Sequence, residues 1–191
     1  MNDLMIDLET LGTGPTAMIL AIGAVRFDLV SGKIDDNGFY ASISVDSNIK
    51  AGRTMSEDTL VWWMKQPDAA RALFSEEKLH IDAALDQFAE WVGEPKDVRP
   101  WGNGPTFDLV KLTHAYEQRE QTAPWVFWNE RCLRTYRALP GAKAVPRVEP
   151  QIAHHALHDA HAQAQWVINI HKHVFLSPTS TVRKNPMVKT K

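Results

Sequence analysis

The sequence predicts an α/β domain with a mixed central sheet, antiparallel in its first strands and flanked by helices. Three features carry that expectation. Two short apolar runs near the N-terminus, residues 4–9 and 19–28, read as strands joined by a hairpin-like connection. Helix-spaced and strand-like segments then alternate to about residue 175. The length of 191 residues suits one domain, here bounded at 1–176, with 177–191 set apart as a basic tail expected to be flexible.

The elements follow in order. A Gly/Pro/Thr-containing loop separates the first two runs, and residues 39–45 alternate well enough for a third strand. Ser56, followed by Glu57 and Asp58, offers a cap and an acidic first turn to a helix carrying Leu60, Trp62, Trp63 and Met64. Pro67 can open a short helix through Ala72 and Phe74. Ile81, Ala84, Leu85, Phe88 and Trp91 or Val92 form one helical stripe. Residues 98–101 can make a short strand ending in a Gly-Asn-Gly-Pro junction, after which a helix directs Leu109, Leu112 and Tyr116 to the core. Residues 125–139 are ambiguous, read as a strand and then a helix with Arg134 and Tyr136. Residues 141–152 form a Pro/Gly-punctuated loop, and helical spacing returns over 155–175 through Ala160, Ala164, Val167 and Ile168.

Composition narrows the classes. At 44% hydrophobic and 23% charged the chain resembles a soluble globule, with no apolar run long enough to span a membrane and no basic segment opening a signal peptide. Cys132, the single cysteine, excludes an internal disulfide and a cysteine-built zinc site. A cytoplasmic location is the expectation. The formal charge is −2; Arg183, Lys184, Lys189 and Lys191 supply four positive charges in the tail, so residues 1–176 carry −6. An acidic body disfavours tight non-specific duplex binding and suits a protein that meets phosphate through cations.

Asp7 and Glu9 are the informative pair. Two apart on a strand, they share one side, with Leu4, Ile6 and Leu8 marking the opposite side as core. Burying such acids is costly without cations, and hard divalent ions prefer oxygen ligands. The alternative is an exposed strand end with solubilising acids, and a D-x-E match is common by chance in a chain with 13 Asp and 10 Glu. Asp108 falls where a strand end turns into a helix, a place where ligands gather in α/β sheets; its plainer role is an acid at a helix N-terminus. Asp159 is the fourth candidate, beside His154, His155 and His158.

Together, D-L-E-T at 7–10, N-G-P-T-F-D at 103–108 and H-x-A-x-x-D-A at 154–160 resemble in order and spacing the three motifs of the DEDDh 3′–5′ exonucleases, which share the ribonuclease H-like fold. The resemblance runs from residue 4 to about 170. T-L-V-W-W-M-K-Q at 59–66 and W-G-N-G at 101–104 look closest to the branch of phage exodeoxyribonuclease VIII-like and mycobacterial exoribonuclease-like proteins. The resemblance implies a two-metal 3′–5′ exonuclease with Asp7, Glu9, Asp108 and Asp159 holding two Mg²⁺ or Mn²⁺ ions, which would stabilise the attacking and leaving oxygens. It implies His154 as general base, a neutral imidazole able to accept a proton from water, and nucleoside 5′-monophosphates as products. It also implies Thr10, Leu11, Trp62, Asn103 and Phe107 near the terminal nucleotide of a single strand or 3′ overhang of DNA or RNA. Relatives often dimerise, so a homodimer is open. One departure is the middle-motif Asn, often four residues before the Asp but here five, Asn103 to Asp108.

Other readings coexist with these. Helical geometry favours His155 beside Asp159, whereas family spacing puts His154 on a bend before the helix. Zinc at His154, His158 and His161 would lack the four ligands of a structural site. Trp62 and Trp63 can stack on bases, although helical neighbours point at least one into the core; Leu11 is either a wedge against the terminal base or loop packing, and Arg134 either meets phosphate or covers its helix. An inactive binding module of the same fold and a small-nucleotide phosphodiesterase are the alternative functions.

Overall fold

A computed structural model describes residues 1–177. The tail expectation falls on 177–191, and residues 178–191 lie outside the described residues. Strand β1 (Asp3–Thr10) occupies the middle of a five-stranded sheet of order β3-β2-β1-β4-β5. On one side it pairs antiparallel with β2 (Ile19–Phe27), which pairs antiparallel with β3 (Phe39–Ser42). On the other it runs parallel to β4 (Arg99–Gly102), followed by the two-residue β5 (Arg131–Cys132). The expected mixed sheet with antiparallel first strands is what the chain forms.

Both faces of the sheet are covered. Leu4, Ile6 and Leu8 pack against α4 (Ile81–Val92) and α5 (Asp108–Glu117), through Leu85, Phe88, Leu109 and Leu112. Met5, Val25, Phe27 and Trp101 pack against α6 (Leu133–Arg137) and α7 (Ala156–His171), through Leu133, Ala160, Ala164 and Val167. The side of β1 carrying the acids is therefore core as well, and its row of alternate residues reads Asp3, Met5, Asp7, Glu9. Asp3 accepts from Arg99 at 2.7 and 3.0 Å and from Trp101 Nε1 at 2.9 Å, so this buried acid is paired.

The segment after the third strand differs most from the sequence expectation. The third strand stops at Ser42 instead of running to residue 45. Ser44 turns the chain and its hydroxyl accepts from Ser47 N–H, capping a helix the alternation concealed, α1 (Val45–Lys50). Buried Asn48 from α1 bonds both the N–H and the C=O of Ile19, at 3.0 and 2.9 Å, locking α1 to β2. The capped helix after Ser56 is α2 (Glu57–Met64), with Ser56 Oγ accepting from Thr59 N–H; α3 (Asp68–Arg71) follows Pro67. The ambiguous 125–139 region resolves into β5 and α6.

Gly23 sets how closely α7 approaches the sheet. It stands opposite Asp7 in the β1–β2 register. A Cβ there would fall 2.1 Å from the carbonyl carbon of Ala156 and 2.2 Å from Leu157 N, both backbone atoms at the start of α7. Only a missing side chain permits this contact, and it seats the first turn of α7 directly over Asp7. Gly23→Ala is expected to cost about 1–3 kcal/mol of stability, the usual range for overpacking. Denaturant unfolding of the purified variant measures it, and an unchanged midpoint would refute the close-approach role.

Candidate active site

The cleft arises where neighbouring strands part. Pairing of β1 with β4 ends at Met5 and Trp101, whereas pairing with β2 continues to Thr10. Beyond Gly102 the chain turns away into α5, leaving a crevice at the strand ends, where α/β sheets commonly bind ligands. The cavity is about 530 Å³, and its walls include Asp7, Glu9, Asn103, Phe107, His154 and Asp159.

Asp7 and Glu9 come from β1 and Asp159 from the first turn of α7; each offers a carboxylate oxygen within 4.8 Å of the others. Glu9 is 7% exposed. Asp7 Oδ1 accepts from Gln163 Nε2 at 2.7 Å, and Asp159 Oδ2 from the His154 N–H at 2.8 Å. Neither bond brings a positive charge. Burial, compounded by Asp108, Glu9 and Asp159, raises the Asp7 carboxyl well above the ordinary range. Burial followed by the charges of Asp159 and Asp108 pushes Glu9 up to about 8, and burial also raises Asp159. An all-oxygen trio with no cationic hydrogen-bond partner among the described residues fits a hard divalent cation.

Asp108 adjoins the trio but is bound differently. At 2% exposed, it accepts from Leu8 N–H at 3.2 Å through Oδ1 and from Asn103 N–H at 3.1 Å through Oδ2. Burial pushes its carboxyl up to about 6 against those amides. It thus staples β1 to the 103–107 turn, and each carboxylate oxygen keeps a further acceptor direction.

The histidines separate. His154 lies before α7 with φ of +63° and lines the cleft. His155 is the N-cap residue of α7; its ring stacks between Tyr40, centroids 4.5 Å apart, and His158, 4.2 Å apart. The bend before the helix, not the helical face, carries the cleft histidine. No grouping of His154, His158 and His161 as metal ligands occurs among the described residues.

The tryptophans separate too. Trp63 is core, its Nε1 donating to Thr10 C=O at 2.9 Å. Trp62 is 41% exposed, lines the cleft and meets His154 edge-on with centroids 4.8 Å apart. Thr10, Asn103 and Phe107 also line the cleft, and Asn103 Oδ1 is buried without a hydrogen-bond partner. Leu11, read as either a wedge against the terminal base or loop packing, is 3% exposed and packs with Met18, Leu20 and Trp63; an irregularity between Glu9 and Thr10 interrupts the strand alternation just before it.

Residue-type reasoning missed Gln163 and Arg147, both on the cleft wall. Gln163 stands four residues after Asp159, so the helical period could have found it; its Oε1 is buried and unpartnered. Arg147 sits in an irregular loop that offers no periodicity. Two buried cations also went unnoticed. Lys111 Nζ donates to Thr13 C=O at 3.0 Å and lies 3.2 Å from the Phe107 ring centre, and burial pulls it down to about 8. Arg53 donates to Ala17 C=O at 2.7 Å, and burial pulls it down to about 10. Together they anchor the loop from β1 to β2 that forms one cleft wall.

The carboxyl shifts fix a pH dependence. Folded Glu9 titrates near 8 against 4.5 ordinarily, and Asp108 near 6 against 3.8. Between those values the folded chain holds protons that the unfolded chain has released. Stability without divalent cations is thus fullest below about pH 4 for these groups and is lost as pH rises through 8. Asp7→Asn removes one crowded charge and is expected to stabilise the cation-free protein at pH 8 by about 1–3 kcal/mol. Urea unfolding in chelator at pH 6 and pH 8 checks both statements; a destabilised variant would refute the repulsion.

The known proteins that this chain resembles are nucleases. The model of the 3′–5′ exoribonuclease Rv2179c-like domain matches residues 2–171. An exodeoxyribonuclease of Enterobacteria phage T4 is 24% identical over 159 residues, covering 71% of this chain and 70% of that protein. The crystal structure of cell-death related nuclease 4 aligns with a TM-score of 0.50 at 14% identity, over 88% of this chain and 62% of the nuclease. The chain therefore spans less than two thirds of that neighbour, and the likeness is one of fold, consistent with the ribonuclease H-like arrangement. By the domain that it matches nearly end to end before the tail, the chain belongs to the Rv2179c-like 3′–5′ exoribonuclease domain family, within the DEDDh-like exonuclease superfamily.

Proposed function

We propose that the protein is a divalent-metal-dependent 3′–5′ exonuclease that removes nucleoside 5′-monophosphates from single-stranded or overhanging DNA or RNA. The observation that carries this reading is the trio Asp7, Glu9 and Asp159, three acids within 4.8 Å and without a cationic hydrogen-bond partner, facing a cleft that His154 also lines. Asp7, Glu9 and Asp159 would hold Mg²⁺ or Mn²⁺, with Asp108 contributing through the acceptor directions its two amide bonds leave. Two such ions, when bound, supply charge that stabilises the attacking and leaving oxygens of the phosphodiester.

The side chains divide the remaining work. His154 takes the proton of the attacking water while the last P–O3′ bond breaks; the terminal nucleotide leaves as a 5′-monophosphate, and the departing O3′ takes a proton from solvent to become the new 3′-hydroxyl. Trp62 stacks on a base, a sequence-tolerant contact. Asn103 lines the cleft on the side of the terminal sugar, and Phe107 packs against the terminal nucleotide, its ring held by Lys111. The family description names an exoribonuclease and the phage relative an exodeoxyribonuclease. Both strand types are therefore substrates to test.

With Mn²⁺, a 5′-labelled DNA or RNA oligonucleotide should shorten into a ladder from its 3′ end and release 5′-monophosphates. Asp7→Ala should abolish the ladder. His154→Ala should lower kcat by about 10²–10⁴-fold, the usual worth of a general base, with a smaller change in KM. Internal cuts with an intact 3′ end, or an active Asp7→Ala, would overturn the reading.

A further inference from the structure

Between Glu130 and Glu149 the chain carries Arg131, Arg134, Arg137, Lys143 and Arg147 and no acid, although residues 1–176 carry −6 overall. This basic stretch begins in β5, crosses α6 and returns to the cleft. Among the described residues, Arg147 is the one Lys or Arg lining the cavity. Its tie to Glu149, 3.4 Å between Nε and Oε1, joins two side chains that are 61% and 72% exposed, a pair of little strength. Arg134 lies across Gly104, its Cζ 3.6 Å from where a Cβ would stand, beside cleft-lining Asn103. Arg134 is exposed and has no acid partner among the described residues. The cleft wall formed by α2 is of opposite character, with exposed Glu57 and Asp58 at its start.

We propose that the 131–148 stretch, through Arg134 and Arg147, is the track for the sugar–phosphate backbone of a single strand whose 3′ end occupies the cleft. This rests on the exonuclease reading. Phosphates upstream of the terminal nucleotide are drawn to this side, away from the acids of α2, and each phosphate neutralised releases condensed counterions. A dinucleotide is too short to gain from the track, so it confers a preference for longer strands.

Two measurements test it. The first is the salt dependence of binding of 5′-fluorescein-labelled oligothymidylate and oligouridylate 12-mers, by anisotropy, to Asp7→Asn protein with and without Arg134→Ser and Arg147→Ser. Removing the two arginines should lower the magnitude of the slope of log K against log salt by about 1.4, about 0.7 per phosphate contact on a single strand. Lysine at both positions should restore most of it, which a purely structural role would not do. The second is the ratio of kcat/KM for a 12-mer to that for a dinucleotide, expected to fall about tenfold in the double serine variant. Equal slopes and equal ratios, or no measurable strand binding in either protein, would overturn the track. Absence of shortening by the unsubstituted enzyme would instead refute the exonuclease reading, leaving the slope comparison to judge the track.

Discussion

Mutual repulsion among buried carboxylates is the constraint around which this molecule is organised. Asp7, Glu9 and Asp159 crowd within 4.8 Å, and Asp108 adds its charge from behind. Elsewhere on the same strand face the chain settles a lone buried acid differently: Asp3, 1% exposed, is bound by Arg99 and Trp101. Four residues further along β1, no arginine hydrogen-bonds Asp7 or Glu9 among the described residues, and both carboxyls are pushed up. A fold that holds such groups together stores an unfavourable interaction that a divalent cation would relieve.

The scaffold shows how that crowding is enforced. β1 is clamped antiparallel to β2 along its whole length, so Asp7 and Glu9 cannot swing apart without breaking the sheet. Gly23 admits the α7 backbone to the opposite register position and delivers Asp159. Asp108 is held by amides of Leu8 and Asn103. Lys111 and Arg53 spend their donors on carbonyl oxygens of the loop between β1 and β2, and among the described residues no ammonium or guanidinium hydrogen-bonds the trio.

Much of this was legible in the sequence, for reasons that differ by residue. Alternation identified Asp7 and Glu9 as neighbours on one side of a strand, because strand periodicity is local. It could not reveal that this side is covered by α7, a contact between residues more than a hundred positions apart. Asp108 came forward from its place at a strand end and Asp159 as a fourth candidate, but only the resemblance joined them to the pair, since tertiary packing alone brings them to β1. His154 was separated from His155 by motif spacing, and a positive φ at His154 is what lets it leave the helix. The side taken by Leu11 could not be read from alternation, because an irregularity between Glu9 and Thr10 interrupts it at the end of β1. The boundary at Ser44 was missed because a serine within an alternating run also serves as a helix cap. Arg147 lies in a loop with no period to read, and Gly23 carried a signal, a glycine inside a strand, that marks close backbone approach.

The most direct test concerns protons released on metal binding. Because burial and neighbouring charges keep Glu9 near 8 and Asp7 higher than usual, a cation entering at pH 7 must displace protons from them. Calorimetric titration of Mn²⁺ in two buffers of different ionisation enthalpy gives the number released. The account requires close to one proton or more per chain at pH 7, falling as pH rises through 8 to 9. Mn²⁺ binding with no proton release at pH 7, or no Mn²⁺ binding at all, would contradict it.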